Sequence, residues 1–293
     1  MAIDAGARLL EGAPFAEEIR TGVARDVAAF VAEHGYPPTL AVVVCGRSAP
    51  SMVYLERILK ACAAVGIEGH LEDVAGDDAA AQEAGLVATI RELNADDRVA
   101  GIIVQMPLPA GVRLSSVIDA IDPMKDIDGI HPLNAGLLRL GYEGFVPATA
   151  HAAMEMLHRS GATISGAEAV VVGRSPVVGM PVAFMLTKED ASVTVCHSRT
   201  RDLAAHVRRA DIVVVAAGRP GLITGAMLKP GAVVIDVGIN VVDGRIVGDV
   251  DFASAREVAS AITPVPGGVG PLTNALLMAH TIRAAQRQAA ARG

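Results

Sequence analysis

The 293-residue sequence contains no run of Lys and Arg, and its formal charge of −7 argues against nucleic acid or an anionic membrane as the main partner. Its three cysteines, Cys45, Cys62 and Cys196, lie far apart with no Cys-x-x-Cys pair. That pattern indicates neither a disulfide framework nor a zinc site, so no metal is expected, and it fits a reducing cytoplasm. No stretch reaches the roughly 18 unbroken apolar residues of a spanning helix. The start of the chain, with acidic Asp4 and Glu11, lacks the pattern of a signal peptide. No internal repeat or low-complexity segment stands out. What remains is a globular chain, 52% apolar and long enough for two domains, with small molecules as its expected ligands.

Short β-branched runs alternate with amphipathic stretches, the signature of α/β architecture with parallel sheet covered by helices. The clearest buried strands are residues 39–45, 101–105, 167–173, 192–197, 211–218 and 232–238. Apolar residues at three and four spacing predict helices in "FAEEIRTGVARDVAAFVAEHG" and "DDAAAQEAGLVATIRELN". "EGFVPATA" (143–150) and "TPVPGGVGP" (263–271) carry the Gly and Pro that interrupt regular elements. The expected organisation is a first domain over 1–146, a second over 147–274, and a final helix, 275–293, free to return to the first; its "AQRQAAARG" end reads as fraying.

"VVVGRSPVVGMP" (170–181) follows a strand and opens a helix, so main-chain N–H groups and the helix dipole face any anion at the turn. The glycines, Gly173 and Gly179, are separated by five residues, unlike the Gly-x-Gly-x-x-Gly of many dinucleotide sites. An NAD site calls for a carboxylate at the end of the next strand. "VTVCHSRT" offers His197, Ser198, Arg199 and Thr200 there, and Arg174 stands in the cradle itself. Hydroxyl and guanidinium groups bind a 2′-phosphate that a carboxylate would repel, so NADP is expected over NAD.

Read with that cradle, "VQMPLP" (104–109), "KDIDGIHPLNAGLL" (125–138), "GAVVIDVGIN" (231–240), "GDVDF" (248–252) and "ITPVPGGVGPLT" (262–273) resemble the FolD-type methylenetetrahydrofolate dehydrogenase/cyclohydrolase family, in family order along nearly the whole chain. The resemblance implies a two-domain α/β homodimer, with a cleft between a folate-binding domain and a Rossmann NADP domain. It implies hydride transfer from 5,10-methylenetetrahydrofolate to NADP⁺, followed by water addition to the methenyl product. By the same resemblance Tyr54 lies against the folate ring, Gln105 beside the reacting carbon and Asp128 on the pterin, with Pro266, Gly267 and Gly268 in a loop over the substrate. Gly173, Arg174, Ser175, Gly179, His197, Ser198 and Arg199 surround the cofactor, and loops bearing Gly218, Gly238 and Ile239 border it. An aromatic face suits a flat pterin, and a carboxylate suits its two donors. His131 reads as structural.

Four residues after Tyr54 the family carries the lysine credited with proton handling in the cyclohydrolase step; here the residue is Ile58. Positions four apart share one helical face, so this stretch reads as an active-site face whose acid/base is absent. Lys60 lies about 240° round the helix from Tyr54, and the Arg57 guanidinium cannot serve as a base near neutrality. The expectation is a dehydrogenase with weakened cyclohydrolase activity. The alternatives are a full bifunctional enzyme and a catalytically silent folate or nucleotide binder. Further departures are Ala150 and Ala152 in a stretch expected to be a loop at the domain hinge, Met180, and His280 where the family often has Asn.

Overall fold

The computed structural model describes residues 6–46 and 49–292, excluding the side chains of residues 49–51, 53 and 54. In chain order the strands are β1 (Arg8–Leu9), β2 (Thr39–Cys45), β3 (Glu68–Val74), β4 (Val99–Val104), β5 (Glu168–Val172), β6 (Ser192–Cys196), β7 (Ile212–Val215), β8 (Val233–Asp236), β9 (Asn240–Val242), β10 (Arg245–Val247) and β11 (Ala261–Ile262). The helices are α1 (Gly12–His34), α2 (Ala49–Val65), α3 (Ala79–Ala95), α4 (Leu114–Ile118), α5 (Pro132–Leu140), α6 (Ala148–Ser160), α7 (Gly179–Lys188), α8 (Leu203–Val207), α9 (Phe252–Arg256) and α10 (Val269–Arg292). The chain forms two compact units. One comprises Met1–Ala16, Leu138–Tyr142 and Pro147–Thr273; the other comprises Glu17–Leu137, Glu143–Val146 and Asn274–Gly293.

The first of these is built on a six-stranded sheet, β1-β11-β8-β7-β5-β6, in which every pair is parallel, with β9 and β10 forming a separate antiparallel hairpin. Its central strands are β-branched runs buried on both faces, as helix-covered parallel strands must be. The chain leaves β5 for β6 on one side and then returns to β7 on the other. That reversal opens a crevice beyond the carboxyl ends of β5, β6 and β7, the usual place for a ligand in an open α/β sheet.

The second unit is built on the parallel sheet β3-β2-β4. Strands β2 and β4 are wholly buried, whereas β3, "EGHLEDV", is an edge strand of mostly exposed residues. Leu86, Ile90 and Leu93 of α3 pack on this sheet. The helix begins at Asp78, whose carboxylate accepts the N–H of Ala81 at 2.8 Å, satisfying one of the donors a helix start leaves open.

Three expectations need correction. Residues 6–16 belong with the six-stranded sheet, because Arg8 and Leu9 pair with Ala261 and Ile262; a two-residue strand is too short to show a period in sequence. The end of the chain does not fray before Arg292: buried Gln288 donates to the Ala100 carbonyl at 2.8 Å, and Arg292 pairs with Asp97 at 3.0 Å. Ala150 and Ala152 are buried in α6 rather than set in a loop.

Candidate active site

In the unit carrying the six-stranded sheet, strand register does most of the work. Val172 pairs with Cys196 on one side and Val215 on the other, so Gly173, His197 and Ala216 emerge side by side. Gly173 donates to the Cys196 carbonyl at 2.9 Å, and Ala216 donates to that of Val172 at 2.8 Å. A Cβ on Gly173, whose φ is +128°, would stand 2.1 Å from the Ala216 carbonyl oxygen; one on Gly179 would stand 2.2 Å from the Gly173 oxygen. The five-residue spacing thus describes a turn folded back on its own start, where only glycine fits. Ser175 Oγ accepts the N–H groups of Val178 and Gly179 at 3.1 and 3.3 Å. Part of the predicted anion cradle is therefore already satisfied within the chain.

Beyond this turn lies a cavity of about 450 Å³, a size suited to a cofactor. Arg174, Ser175, His197 and Ser198 line it, together with Gly173. Thr200, Ala216, Ala217 and Arg219 line it too; Thr200 stands in the turn read for the cofactor, Ala216 and Ala217 in a stretch read only as a strand, and Arg219 in neither. Two guanidinium groups and no carboxylate are found in the lining, which suits an anionic ligand. The 197–200 turn is held locally: His197 N–H donates to Thr200 Oγ1 at 2.8 Å, and His197 Nδ1 accepts from Arg199 N–H at 3.2 Å. Arg199 is exposed and is not part of the lining, nor are Gly179, Gly218, Gly238 and Ile239.

Gly238 has a different explanation, since a Cβ there would lie 2.3 Å from the Asp249 Cγ. Buried Asp236 and Asp249 are the residues that sequence reasoning passed over. Burial, reinforced by the Asp249 charge, pushes the Asp236 carboxyl up to about 6 against three main-chain hydrogen bonds. The available signal was an acid closing an apolar strand and another following a glycine in "GDVDF".

In the other unit, Ile102 bridges Asp126 in parallel, so Gln105 and Asp128 both follow toward the carboxyl end of β4. Half-buried Gln105 donates from its main chain to Val43 at 2.8 Å and from Nε2 to the Met106 carbonyl at 2.6 Å. Its buried Oε1 accepts no hydrogen bond among the described residues. An unmatched buried acceptor calls for a donor from beyond the described residues.

The neighbouring charges of "KDIDG" are structural. Lys125 Nζ donates to the carbonyls of Leu93, Asn94 and Asp96 at 2.7–2.9 Å, capping α3, and burial draws its pKa down. Asp126 accepts the N–H groups of Ile130 and His131 and the Asn134 amide; burial raises its pKa. Asp128 remains half-buried. His131 Nδ1 accepts the Leu133 N–H at 3.0 Å at the start of α5, a structural part. Buried His280 bonds through Nδ1 to the Ile127 carbonyl at 2.8 Å, which ties α10 to this turn.

Of Tyr54 only its place in α2 is described; its side chain lies outside the described residues. Ile58 has no exposed surface and falls on a buried stripe with Leu55 and Cys62, so position 58 packs as core rather than standing as an open wall. Arg57 and Lys60 are exposed, and Lys60 reaches Glu56 at 3.9 Å. Pro266 and Gly267 are exposed and Gly268 is buried, with the Gly267 carbonyl accepting from Gly12 at 2.8 Å. Among the described residues there is no cluster of potential metal ligands, and no helix is long and apolar enough to cross a membrane.

The model of the tetrahydrofolate dehydrogenase/cyclohydrolase catalytic domain matches residues 10–128, and that of the same family's NAD(P)-binding domain matches 147–289. The chain belongs to the tetrahydrofolate dehydrogenase/cyclohydrolase family. The cavity beyond β5–β7 thus lies in the family's NAD(P)-binding domain. A curated relative, bifunctional protein FolD of Bordetella petrii, is 52% identical over 97% of this chain and 96% of its own. The bifunctional protein FolD of Rhodopirellula baltica is 49% identical over 96% and 98%. Among solved structures, the bifunctional FolD of Campylobacter jejuni superposes with a TM-score of 0.92 at 39% identity, covering 96% of this chain and 99% of that one. The Trypanosoma brucei enzyme, solved with NADP cofactor and an inhibitor, gives 0.91 at 38%, covering 98% and 99%.

Proposed function

We propose that the chain is an NADP-dependent methylenetetrahydrofolate dehydrogenase whose methenyltetrahydrofolate cyclohydrolase step is weak or lost. When bound, NADP⁺ supplies the hydride acceptor. Arg174 and Arg219 answer its negative charge, and Ser175, Ser198 and Thr200 offer hydroxyls. In the catalytic domain the family resemblance assigns the donors of the pterin edge to Asp128 and its ring to Tyr54, whose side chain lies outside the described residues, and Gln105 Oε1 offers an acceptor to substrate or water.

Hydride transfer asks the protein to hold two partners close and in line. Water addition also asks for a group that moves a proton, and losing one costs about 10²- to 10⁴-fold. The observation that carries the reading is Ile58, an alkyl side chain with no exposed surface where the family places its lysine.

The names of the curated relatives, bifunctional proteins at about half identity, favour a second reading in which both steps run. One experiment separates the two. Purified protein is given methylenetetrahydrofolate and NADP⁺ while NADPH and the methenyl species are followed separately. Accumulation of methenyltetrahydrofolate, with Ile58→Lys accelerating its hydrolysis about 100-fold, supports the proposal. Prompt hydrolysis by the wild type supports full bifunctionality. Folate binding without NADPH formation would mark a silent binding protein.

A cytoplasmic setting is supported by three buried free thiols, with burial pushing Cys62 up to about 12. A homodimer is supported by exposed Ile239, Val241, Val242 and Ile246 on and beside the β9–β10 hairpin; sedimentation at several concentrations checks it.

A further inference from the structure

One fully buried acid shapes the dinucleotide cavity without lining it. The Asp249 carboxylate accepts three consecutive main-chain N–H groups: Ala217 and Gly218 on Oδ2 at 2.6 and 2.8 Å, and Arg219 on Oδ1 at 2.8 Å. Asn240 Nδ2 adds a fourth bond to Oδ1 at 2.8 Å. Successive N–H groups converging in this way form the concave nest that loops commonly present to a phosphate. Here the chain's own carboxylate fills the nest. The Ala217–Arg219 turn is thereby fixed before any ligand arrives, and Ala217 and Arg219 are cavity residues.

The acid is itself held in place. Asp236 Oδ1 accepts the N–H groups of Gly238 and Asp249 at 2.9 and 3.1 Å, Oδ2 accepts that of Val250 at 2.9 Å, and the Asp236 N–H donates to Thr263 Oγ1 at 2.7 Å. A chain of buried bonds therefore runs from Thr263 through Asp236 and Asp249 to the cavity wall. Apart from N–H groups, the carboxylate meets only the Asn240 amide in these bonds, and a carboxylate is the side chain best able to accept four donors at once.

We infer that Asp249 is a positioning residue for dinucleotide binding: it pre-forms the Ala217–Arg219 wall of the cavity and so sets NADP affinity without touching the cofactor. The inference rests on reading the cavity as the NADP site. Pre-forming a loop removes the ordering cost that binding would otherwise carry. Replacing the acid with an amide turns a donor toward at least one N–H, leaving that turn unsatisfied and mobile.

The test is calorimetric titration of NADP⁺ into wild type, Asp249→Asn and Asn240→Leu, with hydrogen exchange at residues 217–219 and the KM for methylenetetrahydrofolate measured beside it. The expected result for Asp249→Asn is a Kd raised about tenfold or more, faster exchange at 217–219 and a folate KM within about twofold of wild type. Asn240→Leu, which removes one of the four donors, should weaken NADP⁺ binding about two- to threefold. Asp249→Asn that folds and binds NADP⁺ within twofold of wild type overturns the inference, as does equal weakening toward both ligands. If Asp249→Asn does not fold, an unchanged Kd in Asn240→Leu overturns it. Wild type that binds no NADP⁺ would instead sink the functional reading and this inference with it.

Discussion

The two sheets end in differently built sites. At β5, β6 and β7 the cavity follows directly from register: three strand ends in line, two glycines that let a turn fold back, and short polar or guanidinium side chains around them. At β4 the charged motif mostly serves itself, with Lys125 capping a helix and Asp126 tying its own turn together. The lesson is that residues in a recognisable motif divide by burial. The fully buried charges build the frame, while Gln105 and Asp128 stand half-buried beside it.

The sharpest way to break this comparison is at Gly173. A Gly173→Ala substitution drives a methyl into the Ala216 carbonyl at a strained φ, and should cost about 3 kcal/mol of stability and most NADP⁺ affinity. Urea unfolding and calorimetric titration check both. Removing the frame of the other site comes next. Asp126→Ala leaves two main-chain N–H groups and the Asn134 amide short of an acceptor, and should cost about 2–3 kcal/mol and raise the folate KM, with the NADP⁺ Kd unchanged. A matching shift in NADP⁺ affinity would erase the distinction between the sites.

The pH response sharpens the contrast further. Asp236 is raised from 3.8 to about 6, so the folded chain binds its proton more tightly than the unfolded chain does. Its contribution favours folding below about pH 4 and is lost as pH rises through 6, about 2–3 kcal/mol in all. Glu83, held near 2 by Arg113 on the surface of the other unit, works in the opposite sense: its contribution is present above pH 4.5 and fades as pH falls toward 2. Unfolding measured between pH 4 and 7 should lose the first slope in Asp236→Asn, and measurements below pH 4.5 should lose the second in Arg113→Ala. The smallest effect is expected for Lys125→Met, which leaves three carbonyls at the end of α3 without their shared donor and should cost about 1–2 kcal/mol, read from the urea midpoint.

Much of the fold was legible because buried parallel strands are dense in Val and Ile, and those runs fall where β2, β4, β5, β6, β7 and β8 stand. Strand β3 escaped notice because an edge strand with exposed Glu68, Gly69 and His70 has no apolar signature. Strands β1 and β11 are two residues each. The cradle and the turn after β6 were readable as local strings. The Ala217–Arg219 wall was not, since the carboxylate that shapes it stands 30–32 residues further along the chain.

By itself the sequence determined what adjacent residues decide: the alternation of strands and helices, the glycines of the nucleotide turn, the absence of a carboxylate after β6, and an isoleucine at position 58. Only the tertiary structure decided that residues 8 and 9 join a sheet through residues 261 and 262, that Asp249 fills a nest of main-chain donors, and that Ile58 packs out of solvent. The physical reason is one of range. Dihedral preference and periodicity act over a few neighbouring residues, whereas burial and hydrogen-bond satisfaction are set by whichever distant segments folding brings alongside.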